Sequence, residues 1–174
     1  MTRRLHIGGA YRKAGWEVLD VRPAPHVDHV ADARDLGRFD DGAFGAVYAS
    51  HVLEHFDYIG ELTAVLIEWR RLLAPGALLY LSVPDLDVLC SLFTRKDALS
   101  TSERFDLMQM MFGGHDNPFD YHKVGLNGEL LAHYLNEAGF SRARRVRSFG
   151  FFRDASLLTV RDVPVSLNVI ARYE

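Results

Sequence analysis

The chain has 174 residues, 48% of them hydrophobic and 25% charged, which suits one globular domain with a proper core. A net charge of −3 and a pI near 6.2 exclude any global pull toward nucleic acid or an anionic membrane. Cys90 is the only cysteine, so no intrachain disulfide can form; with no apolar signal region after "MTRR" and no membrane-length apolar run, a cytoplasmic setting is expected.

The stretch "LHIGG" predicts a short buried strand ending in glycines, "WEVLDV" (Trp16–Val21) a second strand and "VDHVAD" (Val27–Asp32) a third. Only 11 residues separate Gly9 from Asp20, so the first crossover helix is expected to be shortened or absent. A turn at Asp41–Gly42 precedes a fourth strand over Phe44–Ala49. Beyond it, Ile59, Leu62, Val65, Leu66, Trp69, Leu72 and Leu73 recur at spacings of three and four, an amphipathic helix that Pro75–Gly76 would stop. "ALLYLSVP" is nearly continuous apolar sequence, as a central strand covered on both faces requires.

Residues 85–123 are less regular, with helices expected near Leu86–Phe93 and Ser102–Met111 and then a polar loop, "GGHDNPFDYHK". That segment is expected to form a lid or substrate insertion within a single domain covering 1–174. Asn127 and Gly139 bracket a further helix as N-cap and C-terminal stop. "RARRVRSF" and "VSLNVIARY" close the chain as an antiparallel pair at one sheet edge; the arginines read as an exposed strand face rather than a phosphate track. Strands alternating with helices predict an α/β fold: a Rossmann-like, seven-stranded, mostly parallel sheet with helices on both faces and the last strand antiparallel.

In such open sheets ligands sit beyond the carboxyl ends of the strands, and four segments place suitable groups there. Gly8 and Gly9 end the first strand and admit a ligand close to the backbone. Asp20 ends the second, where a carboxylate can accept from both hydroxyls of a ribose; Asp32 ends the third, in reach of an exocyclic amine. "ASHVLEH", Ala49–His55, follows the fourth.

These stretches, "LHIGGAYRKAGWEVLD", "VADARDLGRFDDGAFGAVYASHVLEHF", "EWRRLLAPGALLYLSVPDLD" and "YHKVGLNGELLAHYLNEAGF", resemble the class I S-adenosylmethionine-dependent methyltransferases. The resemblance is to a compact branch with an opening of the G-C-G…G-W-x-N-V-D type. It implies S-adenosyl-L-methionine as cofactor, with Gly8 beside its methionine part, Asp20 on the ribose, Asp32 and Ala33 flanking the adenine, and Ser50 and His51 beside the sulfonium. It also implies that the last strand lies between the fifth and sixth. The chain departs from the branch at Ala10, where a methyl group would restrict a turn that needed positive φ.

Methyl transfer from a sulfonium is an in-line displacement driven mainly by alignment in a water-poor pocket. A hydroxyl or protonated amine acceptor also needs a base, for which His51, His55, His122 and Asp116 are the candidates, with His115 beside them. No metal is expected, because His51 and His55 with Glu54 lack a third ligand in the sequence. The expected partner is a small-molecule or glycan acceptor, methylated on O or N; nothing in the sequence opposes a homodimer. Two rivals stand beside this reading. One is a methyltransferase-like binding module without turnover. The other, a nicotinamide-dependent oxidoreductase, would need the G-x-G-x-x-G spacing and the helix N-terminus that "GGAYRKAG" does not offer.

Overall fold

The computed structural model describes residues 2–173. Nine strands are arranged as a seven-stranded sheet and a two-stranded hairpin among these residues. The first four, β1 (Arg3–Ile7), β2 (Glu17–Asp20), β3 (His29–Val30) and β4 (Phe44–Ser50), are followed by α1 (Glu61–Leu72) and β5 (Leu73–Pro84). Then come α2 (Leu86–Phe93), α3 (Thr101–Phe112), α4 (Gly128–Glu137), β6 (Ser141–Val146), the hairpin β7 (Thr159–Val160) and β8 (Val163–Pro164), and β9 (Ser166–Arg172). The sheet order is β3-β2-β1-β4-β5-β9-β6; β9 is antiparallel to both of its neighbours and the other pairs are parallel. The strand order is that of the expected Rossmann-like sheet, with the last strand inserted antiparallel beside the fifth, whereas the expected helices on both faces are replaced over β1 and β4 by side-chain packing on one of them.

Local signals set the helix ends. Asn127 accepts from the Leu130 N–H and Gly139 follows α4 at φ 80°, as its sequence requires. Ser100 and Glu103 form a capping box on α3. Two expectations need correction. Ile59 lies outside α1 and is 77% exposed, because Gly60, at φ 83°, starts the helix. Helix α1 also ends before Pro75–Gly76, which instead fall in an irregular stretch of β5 where its pairing with β4 shifts register.

The expected absence of a first crossover helix extends further than the sequence indicated. Residues 8–16, 21–28 and 31–43 all connect strands without a helix. Right-handed crossovers that run in opposite directions from the central strands lie on opposite faces of a sheet. Helices α1 and α4 cover one face, burying Leu62, Leu66, Trp69, Leu131 and Leu135 with Leu5, Ile7, Val47 and Leu79. Over β1 and β4 the other face carries an aromatic layer instead of a helix: Trp16, Phe149, Phe151 and Phe152 against Tyr48 and Tyr80. Asp154 fastens this layer by accepting from the Tyr48 hydroxyl at 2.7 Å. Helices α2 and α3 pair beside the sheet, with Leu89, Leu92, Leu107 and Val165 between them and the hairpin.

His6 lies under the aromatic layer, 2% exposed, against the rings of Tyr48 and Phe152, and its Nδ1 is without a hydrogen-bond partner among the described residues. Burial pushes its pKa down to about 4, against a weaker opposing pull from Asp154. The unfolded chain therefore takes up this proton at a higher pH than the folded one, so stability falls as pH drops from about 6.5 toward 4. Denaturant melts should show about 2 kcal/mol less loss between pH 7 and pH 4.5 for His6→Leu than for wild type. Parallel curves for the two proteins would remove His6 as the cause.

Candidate active site

A cavity of about 530 Å³ opens at the carboxyl ends of β1, β2 and β4. Gly8 forms part of its wall at φ 72°, and a Cβ there would come within 2.5 Å of Val52 Cγ2. Gly9 stands behind the wall, where a Cβ would meet the His6 ring at 2.8 Å. Ala10 is exposed and is not at positive φ, so its methyl group costs the turn nothing.

Asp20 borders the cavity; its Oδ1 accepts from the Arg22 N–H at 2.8 Å, which leaves Oδ2 without a hydrogen bond among the described residues. Asp32 and Ala33 border it as well. Both oxygens of Asp32 are engaged by Arg34, Oδ1 with Nε at 2.9 Å and Oδ2 with Nη2 at 2.6 Å. Those hydrogen bonds hold the Asp32 carboxyl below its usual range, against a smaller desolvation effect. The Arg34 fork also reaches Glu61, which in turn accepts from Lys123 at 3.3 Å. Arg34 and Lys123 thus belong to the cavity wall, a pair whose roles the sequence did not signal because their partners lie on other elements. The Ala33 carbonyl accepts from the buried Trp69 indole at 2.9 Å, which ties this wall to α1.

The chain leaves β4 through His51, which has φ 53°, a conformation that non-glycine residues adopt at some cost. Its N–H still donates to the Ser82 carbonyl at 2.8 Å, so strand pairing over-determines the turn. Burial pushes the His51 pKa down to about 4, so the ring is neutral at neutral pH. His51 and His55 line the cavity together with Asn117–Tyr121 of the loop after α3. Phe119 and Tyr121 are about half exposed at its mouth.

The remaining sequence candidates are placed elsewhere. Ser50 alternates to the opposite face of β4 and donates to Asp154 at 3.4 Å. Asp116 is exposed and outside the cavity lining, as is His115, which stacks on Tyr121 with ring centroids 4.0 Å apart. His122 sits behind the wall, its ring 4.9 Å from that of His55.

Residues 13–81 match a family model described as a methyltransferase domain. No curated protein matches the chain. Among solved structures, a SAM-dependent methyltransferase from Archaeoglobus fulgidus is similar at a TM-score of 0.62 and 16% identity, over 98% of this chain and 86% of that one. A possible exported protein from Bordetella parapertussis also gives 0.62, at 15% identity over 99% of this chain; the chain spans only 62% of its length. A Burkholderia thailandensis 1,6-didemethyltoxoflavin-N1-methyltransferase, solved with its substrate and S-adenosylhomocysteine, gives 0.58 at 14% identity, over 99% of this chain and 71% of that one.

Proposed function

We propose that the chain is a methyltransferase that uses S-adenosyl-L-methionine, acting on a small-molecule or glycan acceptor. The observation that carries this reading is one cavity uniting a glycine-bounded strand end, an uncommitted Asp20 oxygen and the Asp32–Ala33 corner. Residues 8–16 contain no helix, so no helix N-terminus faces a ligand at the end of β1. A dinucleotide pyrophosphate would lose most by that absence, whereas a sulfonium nucleoside carries no phosphate. The match of residues 13–81 to a methyltransferase domain points the same way.

The cofactor supplies an activated methyl group that leaves sulfur as the acceptor attacks in line. The chain's own residues do the positioning. Gly8 lets the ligand approach the backbone; Asp20 accepts from the ribose hydroxyls; the Ala33 segment, braced by Trp69, abuts the base. Asp32 accepts three hydrogen bonds from Arg34, two on Oδ1 and one on Oδ2, which leaves one lone pair on Oδ2 for an adenine amine, so the Arg34–Asp32 pair acts there as a unit. His51 and His55 line the cavity and are the bases of this reading, ahead of His122 and Asp116. The exposed rings of Phe119 and Tyr121 offer a stacking surface for a sugar or aromatic acceptor.

Thermal melts with S-adenosylhomocysteine and with NAD test the cofactor. Ligand at 100 times its dissociation constant stabilises by about 2.7 kcal/mol, a shift of roughly 5–10 °C for a chain of this size. A shift with NAD alone would sink the proposal, and no shift with either would favour the binding module without turnover. By calorimetry, Asp20→Ala should weaken S-adenosylhomocysteine at least about tenfold, the worth of a charge-assisted hydrogen bond. Unchanged affinity would show that the ribose lies elsewhere.

A further inference from the structure

Glu54 lies in the 3₁₀ turn Leu53–His55 and is 1% exposed. Neither of its carboxylate oxygens has a hydrogen-bond partner among the described residues. A buried, unpaired carboxyl group is costly.

The groups nearest Glu54 make the problem worse. His51 Nδ1 is 3.5 Å and His122 Nε2 is 3.9 Å from Glu54 Oε1. The other nitrogen of each ring identifies which atom carries the proton. Ser166 donates its hydroxyl proton to the Ala155 carbonyl at 2.7 Å, so it can only accept from His51 Nε2–H at 3.0 Å. His122 Nδ1 lies 3.1 Å from the Met110 carbonyl and His55 Nδ1 lies 3.2 Å from the Tyr121 carbonyl, and a carbonyl only accepts. His51 Nδ1 and the Nε2 atoms of His55 and His122 are therefore lone-pair nitrogens. Lone pairs of neighbouring rings thus converge on Glu54, and the only proton available among these groups is one that its own carboxyl would carry, a position that a bound cation can take instead.

We propose that Glu54, His55 and His122 bind a divalent first-row transition-metal ion at the inner edge of the cavity. One donor atom from each lies within 4.8 Å of the others. Donors held about 2.0–2.2 Å from a common ion lie about 3.0–3.5 Å apart, so the site needs only a modest contraction. Two imidazoles and one carboxylate favour such an ion over Mg²⁺ or Ca²⁺, which prefer oxygen ligands. The Met110 and Tyr121 carbonyls already orient the two rings, as outer partners do at metal sites. The Lys123 N–H donates to the Glu54 carbonyl at 2.8 Å, tying the segment that carries His122 to the turn that carries the other two ligands. His122 is the third ligand that the local sequence around His51 and His55 lacks.

His55 belongs both to this cluster and to the cavity wall. An ion there would hold an acceptor oxygen and lower its pKa, so that the proton is released to solvent before the oxygen attacks the methyl carbon; His55 then serves as a ligand in place of its role as a base. This catalytic role rests on the methyltransferase reading; the binding site does not.

The test is a titration of tag-free, chelator-treated protein with CoCl₂, followed by visible absorption and circular dichroism. One equivalent of Co²⁺ per chain should bind with ligand-field bands. Glu54→Gln and His122→Ala should each weaken binding at least about tenfold with the far-UV signal retained, given that even outer-sphere changes cost ~10–100-fold. His133→Ala, on the exposed face of α4, should leave it unchanged. Should Glu54→Gln fail to fold, His122→Ala carries the same readout. No saturable Co²⁺ signal from wild type, or full binding by His122→Ala, would overturn the proposal. S-adenosylhomocysteine binding measured without metal separates the two ideas: Co²⁺ binding without it upholds the metal site and sinks the cofactor reading, and the reverse pattern does the opposite.

Discussion

Trp69→Ala should destabilise the protein by about 3–5 kcal/mol, the cost of emptying a large buried aromatic site. Trp69 is fully buried in α1, edge-on to Phe56, among the residues that join α1 to the sheet. Its indole N–H donates to the Ala33 carbonyl, so packing and the cavity wall share one side chain. Trp69→Phe separates the two contributions. It keeps most of the volume but strands the carbonyl, for a loss of about 1–2 kcal/mol, and it should also weaken S-adenosylhomocysteine because the Ala33 segment is no longer braced. Urea denaturation with a parallel binding measurement reads both. A Trp69→Phe protein as stable as wild type, with unchanged binding, would show that the indole hydrogen bond is dispensable.

Gly8→Ala should cost about 2–3 kcal/mol and abolish ligand binding. An alanine at φ 72° carries about 1–2 kcal/mol of left-handed strain, and its methyl group would start 2.5 Å from Val52 Cγ2. Val52 also lines the cavity, so the two residues cannot separate without altering the site. The informative measurement is a double-mutant cycle. Val52→Ala alone should destabilise, yet added to Gly8→Ala it should recover about 1 kcal/mol by removing the clash. Simple additivity in thermal or chemical melts would mean that strain alone accounts for Gly8.

Much of the fold was legible because its signals are local. The period of three and four from Leu62 to Leu72, the Asn127 cap and the Gly139 stop lie within a turn or two of what they control. Asp20 and Asp32 were readable as strand-end acids for the same reason, and both border the cavity. Ile59 misled because it kept the helical spacing while Gly60 broke the backbone, and backbone conformation outranks periodicity at an element's end. Ser50 was adjacent to the right residues but on the wrong side, since successive strand residues point to opposite faces.

From the sequence alone came an α/β sheet with a shortened first crossover, the bounds of most helices, and a set of acids and glycines at strand ends. These follow from hydrophobic period, caps and turn chemistry, all acting over a few residues. The tertiary structure alone decided that three consecutive connections dispense with helices and that Trp16, Phe149, Phe151 and Phe152 cover the face left open. It also decided that Arg34 occupies both oxygens of Asp32, and that His122 arrives beside Glu54 and His55. Those contacts join residues on separate elements, and only the sheet order and the chain's return after α3 bring them together.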